Sequence, residues 1–303
     1  MNVWEPDDRV FLFGFSRGAY SVRVLAGFLY SFGLLHRGND NLVPYAFRLF
    51  KSIRGSKPSQ AQSNKKQWDL CDEFRETFAR KSDGAATDRR FRIHFMGIWD
   101  TVSSVGWVWN PASFQFTFHN PGISIIRHAI SIDERRAFFR QNRVGRVEGQ
   151  DLKEYWFPGV HCDVGGGYPV ADGGLSYGPF RWILDEACNA GGLHVDDPRL
   201  QKLVSEFPGR EESWNEKQHE SLSGLWWLAE FFPKFPWYSG TRWHWPTLNM
   251  GKHRVMEKGD VLHKSALLRI RSENYNPPNF SASLLAEIRD LQEVPDQYPL
   301  GSV

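Results

Sequence analysis

Cysteine is scarce in this chain: its 303 residues include three, Cys71, Cys162 and Cys188, far apart and with no Cys-x-x-Cys pair. That spacing argues against a disulfide framework or a zinc module and leaves a reducing compartment, the cytoplasm, as the expected location. Long apolar runs are also missing. No stretch approaches the roughly 20 apolar residues of a membrane span, and the opening Met-Asn-Val-Trp-Glu-Pro-Asp-Asp has neither the basic nor the apolar region of a signal peptide. Charge of one sign is lacking: 37 basic against 35 acidic residues leave a formal +2. That is too little to attract nucleic acid or to draw the chain electrostatically onto a bilayer, so no nucleic-acid partner is expected. No internal period of roughly 20 to 50 residues is evident, which argues against solenoids and propellers.

What remains is a chain of ordinary composition, 41% apolar and 24% charged, long enough to bury a substantial core. The polar window from Ser52 to Lys66 reads as a flexible insertion. The compositional outlier is aromatic content, 15% with 13 Trp, concentrated late in the chain.

Val10-Phe11-Leu12-Phe13 is a short, uniformly apolar run ending at Gly14, the pattern of a strand buried on both faces. Val22, Leu25, Ala26 and Leu29 then recur at helical spacing, with Gly33 where a C-terminal cap belongs. Residues 91–99 and Tyr155-Trp156-Phe157 repeat the apolar-run-then-turn pattern and predict two more strands. Helices are expected around Ile123 to Phe139, Pro179 to Ala190 and Ser281 to Leu291. The alternation predicts an α/β fold with a parallel sheet flanked by helices. The core is expected to end near Val195, giving a catalytic domain over 1–195 and a smaller, irregular, aromatic-rich subdomain or cap over 196–303.

Between the first strand and its helix stands Gly14-Phe15-Ser16-Arg17-Gly18, a Gly-x-Ser-x-Gly pentapeptide. In a nucleophile elbow the serine occupies a strained turn, so small residues are expected two before and two after it, here Gly14 and Gly18. The Arg17 backbone N–H and the dipole of the following helix would face a developing oxyanion. A serine hydroxyl needs an imidazole base, itself oriented by a carboxylate. His161, just past the strand at Tyr155-Trp156-Phe157 and before Gly165-Gly166-Gly167, is the preferred base. Asp100, at the same place after its own strand, is the preferred acid. Asp133 and Asp163 are rival carboxylates, Asp133 lying in a charged stretch expected to form a solvated or ion-paired helix face. The three glycines lack the features of a phosphate-binding loop and are expected to be mobile. No metal and no cofactor are expected, because His161 and Asp163 have no second ligand cluster beside them.

Four blocks, Gly14 to Tyr20, Gly97 to Val102, Arg127 to Glu134 and Trp156 to Tyr168, occur in an order that resembles one α/β-hydrolase family. It includes the catalytic domain of type VI secretion phospholipase effectors, together with uncharacterised fungal and bacterial members. The resemblance implies an ester hydrolase, acting on phospholipids in the effector members, with a triad on Ser16, Asp100 and His161. Members carry a longer segment ahead of the elbow, whereas nine residues precede Val10 here. The chain is therefore expected to lack the first strands of the family's sheet, to place its elbow strand at a sheet edge, and to lack the second oxyanion donor. A catalytically silent interaction domain is the rival reading. The aromatic residues from Trp226 to Trp245 are expected to form a local core, the alternative being a lid that meets a lipid surface.

Overall fold

A computed structural model describes residues 2–53, 61–81, 88–102, 106–107, 110–111, 114–207, 209–231, 248–272 and 275–301. In chain order the strands are β1 (Phe11–Phe15), β2 (Leu34–Leu35), β3 (Ala79–Arg80), β4 (Ile93–Trp99), β5 (Gly106–Trp107), β6 (Asn110–Pro111), β7 (Ile123–Ser131), β8 (Asp151–Phe157), β9 (Val261–His263) and β10 (Gln297–Pro299). The α-helices are α1 (Arg17–Phe32), α2 (Val43–Ser52), α3 (Ala61–Phe78), α4 (His161–Gly165), α5 (Tyr177–Asn189), α6 (Asp197–Ser205), α7 (Trp226–Glu230), α8 (Lys264–Arg271) and α9 (Ala282–Arg289).

Six strands form one sheet in the order β1-β4-β7-β8-β9-β10. All neighbours run parallel except β9 and β10, which are antiparallel. Phe15 is in register with Trp99, Trp99 with Ala129, and Ala129 with Tyr155. The carboxyl ends of β1, β4, β7 and β8 therefore line up along one rim, where open α/β sheets place their sites. Among the described residues β1 is at the edge of the sheet.

Each central strand is an apolar run because both its faces are covered. Ala19 and Ala26 of α1 pack with Ile93, Met96, Ile98 and Ile126. Trp182, Ile183 and Ala187 of α5 pack with Phe95, Ala129 and Phe157. α2 and α3 close over α1 through Phe32, Phe50, Cys71 and Phe74.

Two expectations are corrected. The stretch 123–139, expected to be helical, is the nine-residue strand β7 followed by turns. Its isoleucines at 123, 125, 126 and 130 favour a strand. Arg127 and His128, in the charged stretch expected to form a helix face, are instead buried with partners on β8 and α5. Arg127 pairs with Asp151 at 2.6 Å and Glu186 at 2.5 Å, and His128 with Glu154 at 2.7 Å.

The core also continues past residue 195: β9 and β10 extend the sheet, and Leu262, Leu267, Ile270 and Ile288 pack with Ile130 and Trp156. Residues 54–60 of the polar window from 52 to 66 lie outside the described residues; its last part begins α3. Among the described residues no helix is long and apolar enough to cross a membrane.

Candidate active site

Ser16 sits where β1 turns into α1, with φ 59° and ψ −123°. A non-glycine residue in that region is strained, and the strain is typical of an elbow that lifts a hydroxyl above a sheet rim. Its backbone is tied down by a hydrogen bond from Ser16 N to the Trp99 carbonyl at 3.0 Å. α1 begins immediately, and no side chain caps its first turn. The uncapped N–H groups of that turn, Arg17 first, present the positive end of a 16-residue helix beside Ser16.

The two flanking glycines differ. A Cβ on Gly14 would lie 2.7 Å from the Gly18 carbonyl carbon and 2.8 Å from the Ala19 nitrogen, both backbone atoms. A Cβ on Gly18 would meet open space. Only Gly14 is sterically compelled, because the first turn of α1 passes over it. Gly14→Ala is expected to destabilise the protein by on the order of 1–3 kcal/mol, with Gly18→Ala leaving the urea midpoint unchanged or slightly higher. Urea titration of both variants checks this.

Asp100 follows β4 at φ 39°, another strained position. His161 opens α4, just after β8. Both side chains are almost completely buried, and they meet: His161 Nδ1 is 2.5 Å from Asp100 Oδ2, and His161 Nε2 is 2.8 Å from Ser16 Oγ. In the neutral tautomer that donates Nδ1–H to Asp100, Nε2 is the lone-pair acceptor of the serine hydroxyl. The imidazole is held between Phe15 and Phe139, with ring centroids 4.6 and 4.7 Å away. A Cβ on Gly165 would fall 1.9 Å from the Phe15 ring, so Phe15 can reach His161 only because position 165 is glycine. The three glycines expected to be mobile thus end α4 against the site, with Gly166 as its left-handed cap.

Asp100 has more partners than the sequence suggested. Ser131 N donates to its Oδ1 at 2.9 Å, and Arg254 grips both oxygens, Nη1 to Oδ1 at 2.5 Å and Nη2 to Oδ2 at 3.0 Å. Burial alone would raise the Asp100 carboxyl; Arg254 and His161 outweigh it and hold the group well below the usual carboxylate range. His128 fixes the next residue, its Nε2 accepting the Thr101 N–H at 3.2 Å while Nδ1 faces Glu154 at 2.7 Å.

The rival carboxylates point elsewhere. Asp133 is buried rather than on a solvated helix face, and accepts from Gly159 N at 2.6 Å and Tyr275 OH at 2.7 Å. Burial pushes its carboxyl up to about 6. Asp163 accepts from Val160 N at 3.0 Å and His219 N at 3.2 Å, and pairs with His219 Nδ1 at 2.6 Å. Glu134, whose role the sequence reading missed, accepts the His161 backbone N–H at 3.2 Å and pairs with Arg136. Among the described residues no group of three or more His, Cys, Asp and Glu side chains is arranged to hold a metal ion.

Of the aromatic run expected to form a local core, residues 232–247 lie outside the described residues. In α7, Trp226 packs on Phe139 with centroids 5.4 Å apart, and Arg136 lies over both rings. Trp227, Leu228 and Phe231 are exposed, as is Leu225 just before the helix. Glu230 anchors the helix by accepting from Ala137 N at 2.6 Å and Asn249 Nδ2 at 2.7 Å.

Several known proteins are similar to this chain. An uncharacterised Saccharomyces cerevisiae protein, YEL023C, is 37% identical over 142 residues, 46% of this chain and 19% of its own length. Two solved structures are more distant. An uncharacterised Pseudomonas aeruginosa protein is similar at 23% identity and a TM-score of 0.39, over 68% of this chain and 27% of its own. The Tle1 effector bound to the VgrG spike of the type VI secretion system is similar at 20% identity and a TM-score of 0.29, over 54% of this chain and 26% of its own. The chain thus spans less than a third of the length of each of these relatives. The family model of the type VI secretion phospholipase effector Tle1-like catalytic domain matches residues 1–186. This chain belongs to the family of Tle1-like phospholipase effector catalytic domains.

Proposed function

We propose that this chain is a serine carboxyl-ester hydrolase of the phospholipase type, with Ser16 as nucleophile, His161 as base and Asp100 as the orienting acid. The observation that carries the reading is the continuous relay from Ser16 Oγ through His161 to Asp100, at 2.8 and 2.5 Å. Ser16 Oγ attacks the acyl carbonyl carbon while His161 Nε2 takes its proton, and Asp100 stabilises the resulting imidazolium. The Arg17 N–H, at the positive end of α1, binds the oxyanion of the tetrahedral intermediate. As that intermediate collapses, His161 returns the proton to the leaving alcohol and an acyl-serine remains. Water then attacks the acyl carbon as His161 takes its proton, and His161 returns that proton to Ser16 Oγ as the acyl–serine bond breaks and the free acid leaves.

The surroundings favour an acyl chain over a charged substrate. Phe15 and Phe139 face the imidazole, Trp226 packs on Phe139, and α7 adds exposed apolar side chains beyond them. Family membership supports a phospholipid-type ester. Ser16 is partly exposed and within hydrogen-bond reach of His161, which counts against the reading of a silent interaction domain. The test is turnover of p-nitrophenyl esters and of phosphatidylcholine and phosphatidylethanolamine vesicles by wild type and Ser16→Ala. Ester cleavage with release of free fatty acid, lost in the variant, is the expected result. Folded wild type that cleaves none of them would favour the silent domain.

A further inference from the structure

Arg254 takes no part in these proton transfers, yet it is firmly held at their far end. Besides both Asp100 oxygens, it donates to Ser131 Oγ at 2.7 Å and to the Phe139 carbonyl at 2.5 Å. Its side chain is 4% exposed. Asn279 Nδ2 donates to the carbonyls of Arg254 at 3.1 Å and Ile132 at 3.3 Å, fixing the arginine's backbone against the end of β7.

A carboxylate whose two oxygens already bind a guanidinium has less of its charge to offer a third group. When His161 takes the serine proton, the imidazolium forms with a fixed cation on the far side of that carboxylate. The guanidinium therefore keeps Asp100 in one orientation and makes the charged imidazole less favourable than it would be beside an unpaired carboxylate.

The other charged groups around His161 are already matched. Glu134, which accepts the His161 N–H, is paired with Arg136 at 3.0 Å, and Arg136 lies over Phe139. Asp163, on the same short helix, is paired with His219. On the Asp100 side, His128 faces Glu154, which also binds Arg143 at 2.9 Å. Arg254 is thus the cation in direct contact with the carboxylate that faces the base.

We propose that Arg254 is a positioning residue of the site: it clamps Asp100 and, through that carboxylate, sets the pH range in which His161 is free to act as a base. This rests on the serine-hydrolase reading above.

The experiment uses the full chain and p-nitrophenyl butyrate, with kcat/KM followed from about pH 5 to 9 for wild type, Arg254→Gln, Arg254→Lys, and Arg254→Gln combined with Asp100→Asn. In Arg254→Gln the plateau falls and the acidic limb moves up by on the order of one pH unit, because an unopposed carboxylate holds the imidazolium more tightly. Arg254→Lys keeps the charge but not the fork; its plateau falls and its limb stays at the wild-type position. With Asp100→Asn the carboxylate is gone, so the double variant, which buries no unpaired charge, loses the upward shift.

A lowered plateau with an unmoved limb in Arg254→Gln would reduce Arg254 to a packing role and overturn the proposal. So would an upward shift that survives in the double variant. If Arg254→Gln does not fold, Arg254→Met takes its place and is read in the same way: an upward-shifted limb supports the proposal, and a limb at the wild-type position overturns it. Turnover that persists in Ser16→Ala would instead sink the serine-hydrolase reading, so the two failures are told apart.

Discussion

His161→Ala is expected to lower kcat for ester hydrolysis by on the order of 10⁴- to 10⁶-fold while leaving KM within a few-fold. The His161 imidazole touches both Ser16 and Asp100, so its removal ends both proton transfers. Substrate binding falls instead to the aromatic surroundings and the helix terminus, which the substitution leaves in place. Steady-state kinetics on the purified variant, with circular dichroism to show that it is folded, is the measurement. A loss confined to KM would mean that His161 binds substrate rather than moving protons.

Glu134→Ala is expected to have the largest effect on stability, about 3–5 kcal/mol, because it breaks a buried ion pair and strands several donors at once. The Glu134 carboxylate is completely buried. It accepts from Arg135 N at 3.0 Å, Arg136 N at 2.8 Å, His161 N at 3.2 Å and Ser221 Oγ at 3.1 Å, and pairs with the Arg136 guanidinium at 3.0 Å. Burial by itself would raise this carboxyl; Arg136 outweighs it and holds the group ionised. The residue joins the turn after β7 to the start of α4, so its loss also loosens His161. Urea unfolding should show a much lower midpoint in Glu134→Ala and a smaller drop in Glu134→Gln, which keeps the shape and part of the hydrogen bonding. Equal stability of Glu134→Ala and wild type would contradict this account of the rim.

The candidate site was legible in the sequence where its pattern is local. Ser16, Asp100 and His161 each follow an apolar run at a turn, and parallel strands bring such turns to one rim whatever the distances in sequence. β7 was misread because its isoleucines are interrupted by Arg127 and His128; only partners on other strands and on α5, Asp151, Glu154 and Glu186, make a strand with a buried charged pair acceptable. β9 and β10, three residues each, are too short to show a period of two. Arg254 stands 154 residues from the carboxylate it grips, in a stretch with no periodicity, so nothing local reports its role. Glu134 lay within a recognised block, but its place in the charged run 133–136 suggested a solvated or ion-paired helix face, and the burial that gives it its work is a tertiary fact. Gly18 shows the reverse error: the pentapeptide treats both glycines alike, and the backbone requires only Gly14.

The most direct test of the central claim is to treat the folded chain with a fluorophosphonate and map the adduct by peptide mass spectrometry. A serine activated by His161 displaces fluoride and keeps the phosphonyl group. The account predicts one stoichiometric adduct on Ser16, absent in Ser16→Ala and strongly slowed in His161→Ala. An adduct on another residue, or an unmodified Ser16 in folded wild-type protein, would contradict it.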